Sequence, residues 1–145
     1  MSNALLKRAG EPRLAWAQLV GSGWGWRDLL TLCKPRVVAV LLVCSLVGMA
    51  LATPTLPDLS VVVFGLTGIG LAAGGAAAFN HVVDRRLDVL MLRTSRRPVA
   101  SERMPVVLAL AWATLLSIAG IGLLLWQVNA LTAWLTLGSL IGYAL

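Results

Sequence analysis

The sequence predicts an all-α fold, a polytopic bundle of transmembrane helices, and three observations predict it. Hydrophobic residues make up 59% of the 145 and charged ones only 12%. Apolar runs almost free of charge recur at lengths suited to a hydrocarbon core about 30 Å thick. The basic residues lie between those runs, with Lys7, Arg8, Arg13, Arg27, Lys34 and Arg36 before the first and the other six from Arg85 to Arg103. A soluble core of this size has no need of such runs, so the net charge of +6 reports topology. Nucleic acid would require a soluble basic face interleaved with stacking aromatics; the lipid bilayer is the expected partner and nucleic acid is not.

Residues 1–33 read as a cytoplasmic and interfacial segment, and 34–145 as the membrane domain. Met1 to Gly25 carries mixed charge without a sustained period, although Leu14, Trp16, Leu19 and Val20 suit a short surface helix. Arg13, Gly21, Gly23 and Gly25 break up the stretch, which therefore lacks the continuous apolar region of a secretory signal. Trp24 and Trp26 beside Arg27 and Asp28 form an interfacial belt, and Trp26 to Leu32 is expected to lie along the surface. Cys33 and Cys44 stand too far apart for CxxC or zinc chemistry and read as reduced, inert thiols.

The first span opens at Lys34-Pro35-Arg36 and ends at Ala52; its sixteen apolar or small residues give about 24 Å of helix. Lys34 and Arg36 can snorkel, and Pro35 suits a first helical turn. Thr53 to Asp58 is a tight turn without basic residues. The second span, Leu59 to Val83, carries Gly65, Gly68, Gly70, Gly74 and Gly75 and the alanines 76 to 78. These permit close helix packing within one bundle, the GxxxG spacing of Gly70 and Gly74 included. Asn80 and His81 at its end must face protein or a wet cavity, and His81 reads first as an interfacial polar residue, with a haem contact or general base as other roles. Pro105 opens a third span, Val106 to Leu125, ending at Trp126, which is expected against lipid. A fourth begins near Ala130 and is still apolar at Leu145, so a piece of a longer chain is expected. Basic residues in short loops favour the cytoplasmic side: the N-terminal arm and the 84–103 loop are expected there, and Thr53–Asp58 and Gln127–Asn129 opposite.

The charge gathers in Phe79 to Pro98, FNHVVDRRLDVLMLRTSRRP. On a continuing helix Asn80, Asp84 and Asp88 recur every fourth residue and share a face. Two carboxylates and an amide oxygen suit magnesium, which takes hard oxygen ligands, waters and phosphate oxygens. Arg93, Arg96 and Arg97 could grip the nonbridging oxygens of a diphosphate. The plainer reading, a solvated face of i to i+4 ion pairs, fits the same spacing; what favours a site is the position at the end of a membrane span, with apolar walls above a charged edge.

Asn80-xxx-Asp84-xxx-Asp88 followed by Arg93-Thr94-Ser95-Arg96-Arg97-Pro98 resembles the first aspartate-rich motif of the UbiA-type intramembrane prenyltransferases, and the wording FNHVVDRRLD with MLRTSRRP is most similar to their haem-farnesylating branch. Lys34-Pro35-Arg36 is similar too, so the resemblance runs from about Leu30 to Leu145. It implies nine membrane helices around a central cavity, four of them in this chain. It further implies an Mg2+ cofactor, farnesyl diphosphate and haem B as substrates, and transfer of the farnesyl group to a haem vinyl group to make haem O. Asn80, Asp84 and Asp88 would be metal ligands and catalytic residues, and Arg93, Arg97, Lys34 and Arg36 would bind diphosphate. A multi-pass protein of a bacterial inner membrane, with terminal oxidase assembly partners, is implied as well. His81 follows the motif asparagine where quinone-making relatives often have an acid, which favours the haem branch. Two departures stand out: the family's second aspartate-rich motif does not occur, so the chain alone is expected not to complete the reaction, and Ala100-Ser101-Glu102-Arg103 replaces a turn that commonly contains glycine. The rivals are a prenyltransferase for a quinone precursor or other aromatic acceptor, and a nonenzymatic four-span scaffold or assembly protein.

Overall fold

Each apolar run folds as a helix in the computed structural model, which describes residues 23–52, 54–55, 57–88, 90–91, 94, 97–101 and 104–144. In order they are α1 (Trp26–Leu32), α2 (Pro35–Ala52), α3 (Leu59–Val83), α4 (Arg85–Asp88), α5 (Val106–Gln127) and α6 (Ala130–Ala144). No strand occurs among the described residues. α2, α3 and α5 are long and apolar enough to cross a membrane. At 15 residues α6 is shorter, about 22 Å of rise. The surface helix expected around Leu14 to Val20 lies outside the described residues.

Local chemistry sets the boundaries. At the start of α1 the Gly25 carbonyl accepts from the Asp28 amide at 2.9 Å, and the Gly25 amide donates back to Asp28 Oδ2 at 3.0 Å, satisfying groups that a helix start leaves open. Proline at the first position of α2 costs no hydrogen bond. Asn129 caps α6, its Oδ1 accepting from the Thr132 amide at 2.7 Å. The third span runs two residues past Leu125, to Gln127.

α3 is the centre, packed against α2, α5 and α6, and its contact with α5 is made of backbone. A methyl group on Gly120 would lie 2.6 Å from both the Ala72 nitrogen and the Gly68 carbonyl oxygen, and one on Gly75 would lie 2.8 Å from the Ala113 carbonyl oxygen. Without a hydrophobic force between helices inside lipid, such close approach supplies the packing. Gly70 and Gly74 are elsewhere: they meet Leu42 of α2 and Cys33 at ordinary distances of 3.5 Å. The GxxxG pair thus packs within the bundle, as expected, while the tightest seam runs through Gly68, Ala72 and Gly75.

Outward faces are apolar. None of the residues of α2 is buried, and Trp126 is 84% exposed, as a lipid-facing ring would be. Between α2, α3 and α6 lies a cavity of about 440 Å³, walled by Val38 and Leu41 on one side, Ala73 and Ala76 on a second, and Thr136 and Tyr143 on the third.

Candidate functional site

The polar residues collect at one end of the bundle, where α1 meets α2, α3 ends and α6 arrives. The helical register from Asn80 to Asp88 survives a break. α3 stops at Val83, Asp84 is a turn residue with φ −76° and ψ −7°, and α4 resumes at Arg85. Even so, the Asp84 amide donates to the Asn80 carbonyl at 2.9 Å and the Asp88 amide to the Asp84 carbonyl at 2.8 Å. The fourth-residue spacing therefore keeps its backbone bonds although the helix is not continuous.

Asp88 points inward and is 4% exposed. One guanidinium nitrogen of Arg97, Nη1, lies across both its oxygens, at 2.8 Å from Oδ1 and 2.7 Å from Oδ2. Arg97 is delivered by a loop that folds back on itself. The buried Thr94 hydroxyl donates to the Asp88 carbonyl at 3.1 Å, the Arg97 amide to the Thr94 carbonyl at 3.0 Å, and the Ser101 hydroxyl to the Arg97 carbonyl at 2.8 Å. Val99 and Met104 then anchor the loop in a core shared with Leu32 of α1, Ala78 of α3 and Ala109 and Ala113 of α5. Burying a side chain such as Met104 is worth about 1.5–3 kcal/mol, enough to hold a charged loop against the bundle end.

Lys34 supplies a second contact. Its ammonium donates to Asn80 Oδ1 at 3.0 Å and to the Tyr143 hydroxyl at 3.4 Å, with the Tyr143 ring centroid 5.7 Å away. Three elements thus meet on one cation, at the polar end of the apolar cavity. Lys34 has φ 48°, left-handed backbone that costs a residue with a Cβ about 1–2 kcal/mol, and strain of this kind clusters at functional sites.

Of the residues expected at the site, Asn80 with Lys34 and Asp88 with Arg97 are brought together, and Asp84 stands between the two pairs along the chain. Arg36 is exposed on the first turn of α2, and no hydrogen bond or ion pair joins it to Asn80, Asp84 or Asp88 among the described residues. Arg93 and Arg96 lie outside the described residues. His81 is 3% exposed: it faces protein, one of the two surroundings expected of it, rather than the membrane interface. Lys34, Arg97, Asp84 and Asp88 are the charged groups around it. Tyr143 was missed. Its only signal is that it is the one tyrosine of the chain, set in an apolar helix.

Cys33, at the end of α1, donates its thiol to the Leu29 carbonyl at 3.4 Å. Burial pushes this thiol above its ordinary pKa, with the indole of Trp112 opposing in part. Both cysteines are free.

The oxygens at this end, an amide and two carboxylates, are hard donors, and two of the three already attract a cation from the chain. That chemistry fits a magnesium ion better than a soft metal. Among the described residues no cluster of three or more His, Cys, Asp or Glu gathers, so waters or phosphate oxygens would have to complete such a coordination sphere.

Charged and polar side chains thus gather at one end of a helical bundle, beside an apolar cleft between α2, α3 and α6. The chain belongs to the UbiA prenyltransferase family, whose sequence pattern matches residues 41–145. It is 56% identical over 119 residues to the protoheme IX farnesyltransferase of Marinobacter nauticus, covering 82% of this chain and 39% of that protein. It is 60% identical over 119 residues to protoheme IX farnesyltransferase 1 of Pseudomonas fluorescens, covering 82% of this chain and 40% of that one. Against protoheme IX farnesyltransferase 1 of Pseudomonas entomophila the identity is 58% over 120 residues, with 83% and 40% covered. The chain thus spans about two fifths of the length of the curated relatives it matches. No solved structure matches it.

Proposed function

We propose that this chain is the diphosphate-binding side of a farnesyltransferase that joins the farnesyl group of farnesyl diphosphate to a vinyl group of haem B, giving haem O. The observation that carries the proposal is the junction of Lys34, Asn80 and Tyr143: it holds an ammonium group against Tyr143, which also lines an apolar cavity of about 440 Å³. The head of an isoprenyl diphosphate belongs at the ammonium and its tail in the cavity. The names of the relatives supply the acceptor, protohaem.

In this reading Asp84, Asp88 and Asn80 hold Mg2+, and Lys34 and Arg97 take the nonbridging diphosphate oxygens, with Arg93 and the more exposed Arg36 as further cations. Bound magnesium would neutralise charge on the departing diphosphate. Lys34 and Arg97 serve the same end through fixed hydrogen-bond donors aimed where negative charge grows. As the C1–O bond breaks, its electron pair leaves with the diphosphate and the vinyl π electrons form the new bond to C1; a water molecule then adds to the cation left on the vinyl carbon next to the porphyrin and loses a proton, giving the hydroxyl group of haem O. The apolar wall of α2 and α3 keeps water from C1 until that happens. The protein sits in a bacterial inner membrane with 1–33 and 84–103 on the cytoplasmic side, where the diphosphate is available, and terminal oxidase assembly proteins are its expected partners there.

Membranes expressing the whole enzyme that contains this chain, supplied with haem B and labelled farnesyl diphosphate, test the reading. Asp84→Asn and Asp88→Asn are each expected to lower farnesyl transfer by about a hundredfold or more; full activity in both variants would overturn the assigned roles. Replacing haem B by a quinone precursor in the same assay separates the haem enzyme from a relative with another acceptor.

A further inference from the structure

Both ends of the Asn80–Asp84–Asp88 series already hold a cation belonging to the chain. The Lys34 ammonium is on Asn80 Oδ1 at 3.0 Å, and Arg97 Nη1 spans both Asp88 oxygens at 2.8 and 2.7 Å. The residues on the oxygens that would ligate a metal are those that would grip a diphosphate. Resting on the reading above, we infer that Lys34 and Arg97 are exchangeable caps: they occupy the oxygens of Asn80 and Asp88 while the site is empty, and they move to the diphosphate as a divalent cation takes their place.

The physical case rests on what each group loses alone. A metal approaching Asp88 must displace a guanidinium from a buried carboxylate, and the displaced charge needs a new partner in the same confined space. A diphosphate approaching first draws Arg97 away and strands the Asp88 carboxylate, which is 4% exposed. Arriving together, the two ligands satisfy every charge, because the metal replaces the guanidinium on Asp88 and the phosphate oxygens replace the carboxylate on Arg97. The geometry makes the exchange accessible. Arg97 engages Asp88 through one nitrogen rather than the two-nitrogen fork that makes arginine–carboxylate pairs strongest, and its side chain is 25% exposed against 6% for Asp88, so it already has a path outward. Lys34 holds Asn80 through a rotatable single nitrogen whose second partner, Tyr143, lies farther off at 3.4 Å. Metal and diphosphate therefore bind with positive coupling, each tightening the other by the same factor.

Direct binding of Mn2+, used in place of Mg2+ and followed by electron paramagnetic resonance on the full-length protein in nanodiscs, reads the caps without turnover. In the absence of diphosphate the unsubstituted protein is expected to bind Mn2+ weakly. Arg97→Gln is expected to bind it about tenfold more tightly, within the usual span of coupling between sites, and Arg97→Lys, whose single nitrogen can occupy the same place, to return to the weak value. Adding Asp88→Asn to Arg97→Gln should abolish the gain. Lys34→Gln, which uncaps Asn80 in the same way, is expected to gain about threefold and carries the comparison should Arg97→Gln not fold. Equal Mn2+ affinity with and without the caps would overturn the inference. If Mn2+ then still binds when farnesyl diphosphate is added, the metal reading stands and only the caps fall. Absence of Mn2+ binding in every form, farnesyl diphosphate included, would overturn both.

Discussion

Lys34 is the one non-glycine residue with positive φ among those described, and the conformation has a use. A left-handed residue between α1 and α2 reverses the chain sharply, so that its side chain reaches α3 and α6 together. Lys34→Gly would remove the backbone cost and the ammonium at once; we expect stability to hold or rise by about 1 kcal/mol while farnesyl diphosphate binds at least about tenfold more weakly. Thermal unfolding and equilibrium binding of labelled farnesyl diphosphate, measured on one preparation, separate the two effects. Cys33 next to it gives a pH test. The thiolate is the reactive form, and burial raises the thiol pKa, so at any pH near neutrality the thiolate fraction falls below that of a free thiol. Alkylation of Cys33 in a Cys44→Ser background should accelerate with pH to a midpoint above about 8.5, the free-thiol value; a midpoint at or below that value would contradict the burial.

At the scale of elements, two pieces hold the site: the α3–α5 seam and the folded loop after α4. Gly120→Ala puts a methyl group against the backbone of α3 and is expected to cost about 1–3 kcal/mol as overpacking, whereas Gly70→Ala meets only the Leu42 side chain at 3.5 Å and should be close to neutral. Unfolding in mild detergent compares them. Met104 is 1% exposed in the core beneath the loop; Met104→Ala should lose about 2–5 kcal/mol and, by loosening the anchor of Arg97, weaken diphosphate binding as well. The sequence shows why these elements form but not how they are rotated. Glycines at five positions of the second span promised close packing, yet only their directions around the helix axis decide that Gly68 and Gly75 meet α5 while Gly70 meets α2. The loop was harder still. Thr94 and Ser101 shape it by bonding backbone carbonyls of residues 88 and 97, and such bonds leave no period to read.

For the molecule as a whole, span boundaries were legible because punctuation sits at both ends: Pro57 and Asp58 precede the second span and Asp84 follows it, as the structure has it. Asn80, Asp84 and Asp88 were legible because their relation is local, four residues at a time. The Lys34–Asn80–Tyr143 junction was not, since its partners are 46 and 109 residues apart in sequence and meet only through the packing of three helices. Its existence puts the start of α2, the end of α3 and the end of α6 together at one end of the bundle. On the proposed topology, cysteine placed at Arg86 should react with an impermeant maleimide only from the cytoplasmic side, and cysteine at Asp58 only from the opposite side, in inverted and right-side-out vesicles; labelling of both from one side would contradict it.

The glycine seam has a mechanical consequence. α3 and α5 meet backbone to backbone and carry Asn80, while Lys34 stands just before α2 and Tyr143 on α6, the two helices that flank the cavity with α3. A ligand that enters this cavity deforms the side made by α2 and α6. Hydrogen exchange in α2 and α6 should respond to farnesyl diphosphate while the centre of α3 stays silent, and the grip of the site on its ligand is then set by how far α2 can close on a partner that does not move.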